Sequence, residues 1–246
     1  MSWPERSLGA MDIILVPGLW LDASSWDAIA PVLEDAGHTV HPLTMPGVGA
    51  SASESAEIGI ADWVDAVVAV IDTRDDPVVL VGHSGGGNVV YAAAGARPDR
   101  VVRLILLDTF PPAEGGSISE FPVVGGVIPF PGWEFFDEMD VSDIGEETRA
   151  RLSPTMSSVP ARVPTDPVTL GDVARRRIPT TMITNTVRPS EIAEIIEAAP
   201  VWAAELGSLD RLDVVDVRSD DEEPGHWPQF TKPERVSAAI LDAVRR

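Results

Sequence analysis

The stretch from residue 78 to residue 88 constrains this chain most, because an apolar run of strand length breaks there into glycines around one serine. Gly82 and Gly86 flank Ser84 in a G-x-S-x-G pattern, and an alanine-rich, helix-compatible segment follows up to Arg97. A serine at the tip of so sharp a turn adopts strained backbone geometry and needs neighbours without a β-carbon. The pattern predicts a strand, a tight turn and a helix, with the Ser84 hydroxyl exposed above the sheet as a nucleophile.

The rest of the chain alternates apolar runs of strand length with segments whose apolar residues have helical spacing. Strands are predicted at residues 12–16, 38–43, 77–81, 101–107, 178–184 and 212–217. Helices are predicted at residues 21–36, 60–73, 88–97, 189–199 and 233–244, with a shorter piece at 202–206. Strands separated by helix-length segments form βαβ units, so we expect an α/β fold with a mostly parallel, doubly wound sheet.

The alternation stops between residues 111 and 177, which are dense in proline and glycine and include an aromatic, apolar section. This stretch is too long for an ordinary connection, and it contains two short helical candidates, at 142–152 and 167–176. We therefore predict a cap inserted between the strand that ends at Asp108 and the strand that starts near Ile178. Residues 1–110 and 178–246 then form the core domain, and residues 111–177 form the cap.

Composition excludes several classes of function. A formal net charge of -21 opposes binding to a phosphate backbone, so no nucleic-acid partner is expected. The absence of cysteine excludes thiolate nucleophiles and cysteine-ligated metals. The glycines after Ser84 lack the spacing of a dinucleotide or phosphate motif, so neither a cofactor nor a metal is expected.

The amino-terminal sequence bears on location. The apolar stretch that follows residues 1–10 soon reaches Pro17 and Gly18, which is too early for a signal sequence or a membrane span. We expect a cytoplasmic protein that acts on a small molecule; a homodimer is left open.

A serine hydroxyl needs a neighbouring base, usually histidine, to act as a nucleophile. His226 follows the last strand in a Pro-Gly-His-Trp-Pro loop, at the carboxyl edge where Ser84 emerges, and is the predicted base. His38 and His41 lie in or beside the second strand, where we expect a structural role, and no third ligand accompanies them as a metal pair. His83 points in a different direction from its neighbour Ser84, so it is a poor candidate.

Three motifs in order carry a family resemblance: VPGLW at residues 16–20, GHSGG at 82–86 and GHWP at 225–228. Together they resemble the α/β-hydrolase superfamily in its serine-nucleophile, esterase-like branch, over nearly the whole chain. The resemblance implies the α/β-hydrolase fold and a cap where residues 111–177 fall. It also implies an oxyanion hole made by the backbone amides of Gly85 and Leu19, with Trp20 as the next candidate.

The acid of the triad is where this chain departs from many relatives. They carry it after the penultimate strand, where this sequence reads Asn185-Thr186. Asp108 ends the strand after the elbow helix at the same edge, an arrangement that resembles some members of the superfamily, and there it would orient His226. Glu191 and the acidic run at 220–223 remain alternatives.

The aromatic side chains of the cap and the adjoining loops suggest a pocket. The predicted pocket residues are Trp20, Phe130, Trp133, Phe136 and Trp227. Such residues equally fit a cap core, and both interpretations stay open. No cation is obviously placed to bind an anionic group, which favours an uncharged, moderately hydrophobic ester.

The function predicted from these residues is hydrolysis through an acyl-enzyme by a Ser84-His226-Asp108 triad. The alternatives on the same scaffold are a carbon-carbon bond hydrolase, a lyase, a perhydrolase and a low-turnover receptor for a small ligand.

Overall fold

A computed structural model describes residues 9–246; residues 1–8, and the predictions that fall on them, lie outside the described part. Its strands are β1 (Asp12–Val16), β2 (Thr39–Pro42), β3 (Val78–His83), β4 (Val101–Leu107), β5 (Val127–Ile128), β6 (Val159–Pro160), β7 (Thr180–Thr184) and β8 (Leu212–Asp216). The α-helices are α1 (Ala30–Asp35), α2 (Ala52–Ser55), α3 (Ile60–Asp72), α4 (Gly85–Ala96), α5 (Glu138–Val141), α6 (Glu146–Leu152), α7 (Pro189–Ala198), α8 (Pro228–Thr231) and α9 (Pro233–Arg245).

Six strands form one parallel sheet in the order β2-β1-β3-β4-β7-β8. Alternate residues of each strand pack on opposite faces: Ile13 and Leu15 join one core cluster, whereas Ile14 joins the other. The first cluster includes residues of α1 and α9, and the second includes residues of α3 and α4. The predicted doubly wound α/β fold is therefore confirmed.

All carboxyl ends of a parallel sheet lie at the same edge, and the connections after β3, β4 and β7 meet there. Ser84 follows β3, Asp108 follows β4 and Asn185 follows β7. The pairing β1-β3-β4-β7 makes the three connections neighbours, because β4 lies between β3 and β7. This edge is where the predicted site residues are brought together.

Several helical segments differ from the sequence prediction. The piece predicted at 202–206 is replaced by two 3₁₀ turns, Val201–Ala203 and Leu206–Ser208, and the one predicted at 142–152 is the shorter α6. The helix expected over 21–36 is divided into a 3₁₀ turn, Ala23–Trp26, and α1, which starts beside Pro31, a residue suited only to a first helical turn. Helix α4 starts at Gly85, directly after the elbow, three residues before the predicted start. Residues 167–172 are not helical, because Gly171 has φ +68° there, and only a 3₁₀ turn, Val173–Arg177, follows.

We call residues 111–177 the insertion. It contains the antiparallel pair β5-β6 and the short helices α5 and α6, joined by long irregular segments. Its function as a cap remains a prediction. Within residues 9–246, no helix combines the length and the apolar character needed to cross a bilayer.

Candidate active site

Ser84 lies at a strained turn between β3 and α4. Its backbone has φ 50° and ψ -124°, a conformation that a non-glycine residue rarely adopts. A β-carbon at Gly82 would lie 2.5 Å from the carbonyl oxygen of Gly86, and one at Gly86 would collide with the backbone of Pro17. Only glycine fits at both positions, which explains physically why the motif has this spacing.

A continuous hydrogen-bonded chain joins the three predicted triad residues. The Oγ atom of Ser84 lies 2.7 Å from Nε2 of His226, and Nδ1 of His226 lies 2.8 Å from Oδ2 of Asp108. An ionised carboxylate only accepts hydrogen bonds, so Nδ1 carries the proton and Nε2 of the neutral ring accepts from the serine hydroxyl. This is the tautomer that a general base next to a serine requires.

Asp108 is buried and held by the connection after β7. Its Oδ1 accepts from the backbone amides of Asn185 and Thr186, at 2.8 and 2.9 Å, and its Oδ2 accepts from the Thr186 hydroxyl. Burial raises the pKa of Asp108, but the hydrogen bonds and the charge of His226, together with the Thr186 bonds, outweigh this and leave the pKa below its usual value. Asp108 therefore stays ionised. Its backbone is strained, because its φ of 47° lies in the left-handed region that non-glycine residues rarely adopt.

The alternative acids have other partners. Glu191 accepts from the backbone amide of Arg188 at 2.7 Å and so caps the start of α7. In the acidic run at 220–223, Glu222 pairs with Arg235 at 2.6 Å and accepts from the amide of Ser219. Of the three candidates weighed from the sequence, the structure brings Asp108 to His226.

Burial and two neighbouring carboxylates have opposite effects on the pKa of His226. Burial lowers the pKa of His226, whereas the hydrogen bond and charge of Asp108 and the charge of Asp140 raise it, and the net pKa lies above the ordinary value. The side chain is 24% exposed, so it is accessible from solvent. Asp140, on the insertion, was not singled out from the sequence, because no local pattern connects it to the histidine.

His83 supports the backbone of His226. Burial, reinforced by the neighbouring His226, lowers the pKa of His83 to about 3, so its ring is neutral. Its Nε2 lies 2.7 Å from the carbonyl oxygen of His226, which only accepts, and its Nδ1 lies 3.2 Å from Nε2 of Gln229. Nε2 therefore donates to His226 and Nδ1 accepts from Gln229.

The two backbone amides expected to form the oxyanion hole belong to neighbouring residues. A β-carbon on Gly85 would lie 3.2 Å from Cγ of Leu19, and one on Gly18 would lie 3.0 Å from Cβ of Ser84. Within residues 9–246, neither the Leu19 amide nor the Gly85 amide donates an intramolecular hydrogen bond. Trp20 has φ 65°, and its carbonyl accepts from the amide of Ser157 at 2.8 Å.

A cavity of about 450 Å³ borders Asp108 and His226. Its wall combines residues after β4, the first part of the insertion and the connections after β7 and α7, with single residues from α4, α5 and the loop of His226. It is lined by Asn88, Asp108, Thr109, Phe110, Pro111, Pro112, Ala113, Gly116, Ser117, Ile118, Asp140, Thr186, Val187, Trp202 and His226. The wall is mostly apolar, and neither lysine nor arginine occurs among these lining residues.

The five aromatic residues predicted for the pocket do not line this cavity. They form an edge-to-face cluster in which Trp20 contacts Phe130 and Phe136, and Trp227 contacts Trp133 and Phe136, at centroid distances of 5.0–5.8 Å. The alternative kept from the sequence was a cap core, and the packing differs from it in that Trp20 and Trp227 belong to loops outside the insertion, so the cluster joins the insertion to the core domain. A pocket role for these residues stays a prediction.

The remaining histidines lie elsewhere. His41 pairs with Asp12, the first residue of β1, at 2.6 Å, and His38 accepts from the amide of Met11 at 3.3 Å. Both contacts are at the amino edge of the sheet, opposite Ser84. In the part of the chain that the structure describes, no three histidine, aspartate or glutamate side chains are grouped to hold a metal.

Comparison with known proteins adds sequence relatives. The model of the alpha/beta hydrolase family matches residues 13–239. A carbendazim hydrolyzing esterase of Nocardioides sp. (strain SG-4G) is 34% identical over 109 residues, which are 44% of this chain and 45% of that protein. A mitochondrial palmitoyl-protein thioesterase of Homo sapiens is 33% identical over 114 residues, 45% of this chain and 37% of that protein. The chain spans less than half the length of these curated relatives.

Among solved structures, an extracellular alpha/beta-hydrolase from a Paenibacillus species superposes with a TM-score of 0.72 at 20% identity. The superposition covers 95% of this chain and 98% of the other. At this identity the likeness shows a shared fold.

Proposed function

The chain belongs to the alpha/beta hydrolase family, and we propose that it is a serine hydrolase of uncharged, moderately hydrophobic carboxylic esters. The observation that carries the proposal is the unbroken chain of hydrogen bonds from Ser84 through His226 to Asp108, at 2.7 and 2.8 Å. Two relatives named as an esterase and a thioesterase support cleavage of an acyl bond. A cytoplasmic location and a cap role for residues 111–177 belong to the same proposal.

The first half of the reaction forms an acyl-enzyme. Ser84 Oγ attacks the ester carbonyl carbon while its proton passes to Nε2 of His226. The negative charge that develops on the carbonyl oxygen is stabilised by the amides of Leu19 and Gly85. Collapse of the tetrahedral intermediate breaks the carbon-oxygen bond, and His226 gives its proton to the departing alkoxide.

The second half restores the enzyme. Water attacks the acyl carbon and gives a proton to Nε2 of His226, and the new intermediate expels Ser84 Oγ, which recovers that proton. The acid is released, and the hydroxyl and the neutral imidazole are regenerated. Asp108 stays ionised throughout and stabilises the charged imidazole, because it is held by three hydrogen bonds from Asn185 and Thr186.

The wall of the cavity supports the substrate class. Its apolar part includes Phe110, Ile118 and Trp202, whereas its acidic groups are Asp108 and Asp140. Carboxylates repel an anionic substrate in a site of low polarity, and no lysine or arginine of this wall offsets them. An uncharged acyl or alcohol group therefore fits better than a carboxylate or phosphate.

The test is to treat the folded protein with a fluorophosphonate, to map the adduct, and to assay p-nitrophenyl esters of increasing acyl length and a matched thioester. We expect label on Ser84, and a loss of kcat on the order of 10⁶ for Ser84→Ala. Ser117→Ala is the matched control, because Ser117 is an exposed serine that lines the cavity beside His226, whereas the serine hydrogen-bonded to His226 is Ser84. This variant should keep label and activity. Label elsewhere, or ester hydrolysis by Ser84→Ala, would exclude this mechanism.

A further inference from the structure

One short part of the insertion contacts the loop that carries the predicted base. We call residues 224–226 the histidine loop. The backbone amide of His226 donates to the carbonyl oxygen of Asp140 at 2.7 Å, and the amide of Asp143 donates to the carbonyl oxygen of Pro224 at 3.0 Å. The insertion and the histidine loop are therefore linked by main-chain hydrogen bonds in both directions, on either side of Gly225.

The carboxylate of Asp143 adds side-chain contacts to this link. Its Oδ2 accepts from Nζ of Lys232 at 2.7 Å, from the hydroxyl of Thr231 at 2.7 Å and from Nδ2 of Asn185 at 3.0 Å. The Asp143 and Lys232 side chains are 6% and 9% exposed, so this ion pair is shielded from solvent. Thr231 is the last residue of α8, the helix that follows the histidine loop, and Lys232 comes directly after it. Asp143 thereby holds the chain beyond His226 as well.

Asn185 links Asp143 to Asp108, the predicted acid of the triad. Its Nδ2 also donates to the carbonyl oxygen of Gly225 at 2.6 Å, while its backbone amide donates to Oδ1 of Asp108 at 2.8 Å. A β-carbon at Gly225 would collide with the Asp143 carboxylate, so the histidine loop lies directly against it. A series of contacts thus runs from Asp143 through Asn185 to Asp108, and through Gly225 to His226.

We propose that Asp143 is a positioning residue, which holds the histidine loop and Asn185 so that His226 stays aligned between Ser84 and Asp108. The inference rests on the proposed function, because it assigns a purpose to a residue that touches neither substrate nor reacting atoms. It makes residues 140–143 of the insertion a fixed part of the catalytic framework. A misplacement of about 1 Å at a reacting group costs roughly 100-fold in rate, which is the scale on which such a support acts.

The experiment compares Asp143→Ala, Lys232→Met and the double variant, by thermal unfolding and by the rate of fluorophosphonate labelling at Ser84. Asp143→Ala leaves the Lys232 charge buried without its partner, so both Tm and labelling rate should fall, the rate by roughly 10- to 100-fold. In the double variant no unpaired charge remains, and we expect Tm to recover while the labelling rate stays low. Glu138→Ala removes an exposed carboxylate from α5 and should change neither.

Each outcome decides between positioning and charge compensation. If the double variant regains the wild-type labelling rate together with Tm, Asp143 only neutralises Lys232 and the inference is wrong. The same holds if folded Asp143→Ala labels at the wild-type rate. Asp143→Asn, which keeps the shape and one oxygen, provides the same readouts should Asp143→Ala fail to fold. Failure of the proposed function is distinct, because the wild-type protein itself would then take no label at Ser84.

Discussion

The sheet edge and the insertion contribute to the site in opposite ways. The sheet edge presents reactive groups immediately after strands, as with Ser84 after β3 and Asp108 after β4. The insertion has few regular elements, yet its Asp143 and Asp140 reach the histidine loop through buried contacts. We therefore propose that the chemistry depends on residues at strand ends, whereas the alignment of these residues depends on a region with little secondary structure.

The largest effect on activity should come from the sheet edge. Asp108→Asn is expected to lower kcat by about 10⁴, because the amide no longer enforces the tautomer of His226 that accepts the serine proton. Glu191→Gln changes the alternative acid, which only caps α7, and should leave kcat within twofold of the wild-type value. Steady-state hydrolysis of a p-nitrophenyl ester measures both, and a larger loss for Glu191→Gln would reassign the acid.

Glycine-to-alanine substitutions in the two regions should lower the free energy of unfolding by different amounts. Gly86→Ala forces a β-carbon into the backbone of residues 16 and 17, and we expect a loss of roughly 3 kcal/mol or more in the free energy of unfolding. Gly145→Ala, at the start of α6 in the insertion, meets no atom within 4 Å and should cost less than about 1 kcal/mol. Urea unfolding curves compare them, and similar losses would show that the elbow tolerates a side chain.

The smallest effect concerns the charge that the insertion places near the base. His226 acts as a base only when neutral, so kcat/KM falls as pH drops through its pKa. Asp140 raises the pKa of His226, and Asp140→Asn should therefore lower that pKa and move the acid limb of kcat/KM to lower pH. The matched control is Glu138→Gln, an exposed charge on the same helix, which should leave the limb in place. If the acid limb of Asp140→Asn is unchanged, the charge of Asp140 does not influence the pKa of His226, and this prediction is wrong.

The sequence predicts the sheet edge well, because its signals are local. Strand β4 was predicted with its observed bounds, and the positions of Ser84 and Asp108 follow from where apolar runs stop. The sequence does not decide whether the aromatic residues Trp133 and Phe136 line a pocket or form a cap core, because both require the same residue types. Asp143 had no signal, because its partners Lys232 and Asn185 lie 89 and 42 residues away.

Asn185 illustrates what a departure from the family pattern conveys. Its position is where many relatives carry the acid, and without a carboxylate there Asp108 is the predicted acid. The structure gives Asn185 a supporting place, with its amide on Asp108 and its side chain on Gly225 and Asp143. Only tertiary contacts distinguish such a support from an unrelated loop residue.

The strained backbone at the sheet edge lowers the stability of the fold at the positions that the proposed chemistry needs. Three of the four non-glycine residues with positive φ in residues 9–246 lie there, namely Trp20, Ser84 and Asp108. Each such conformation costs of the order of 1–3 kcal/mol, which the packed sheet must offset. Relaxing these positions should therefore raise the free energy of unfolding, but at Ser84 it would also remove the backbone geometry of the proposed nucleophile.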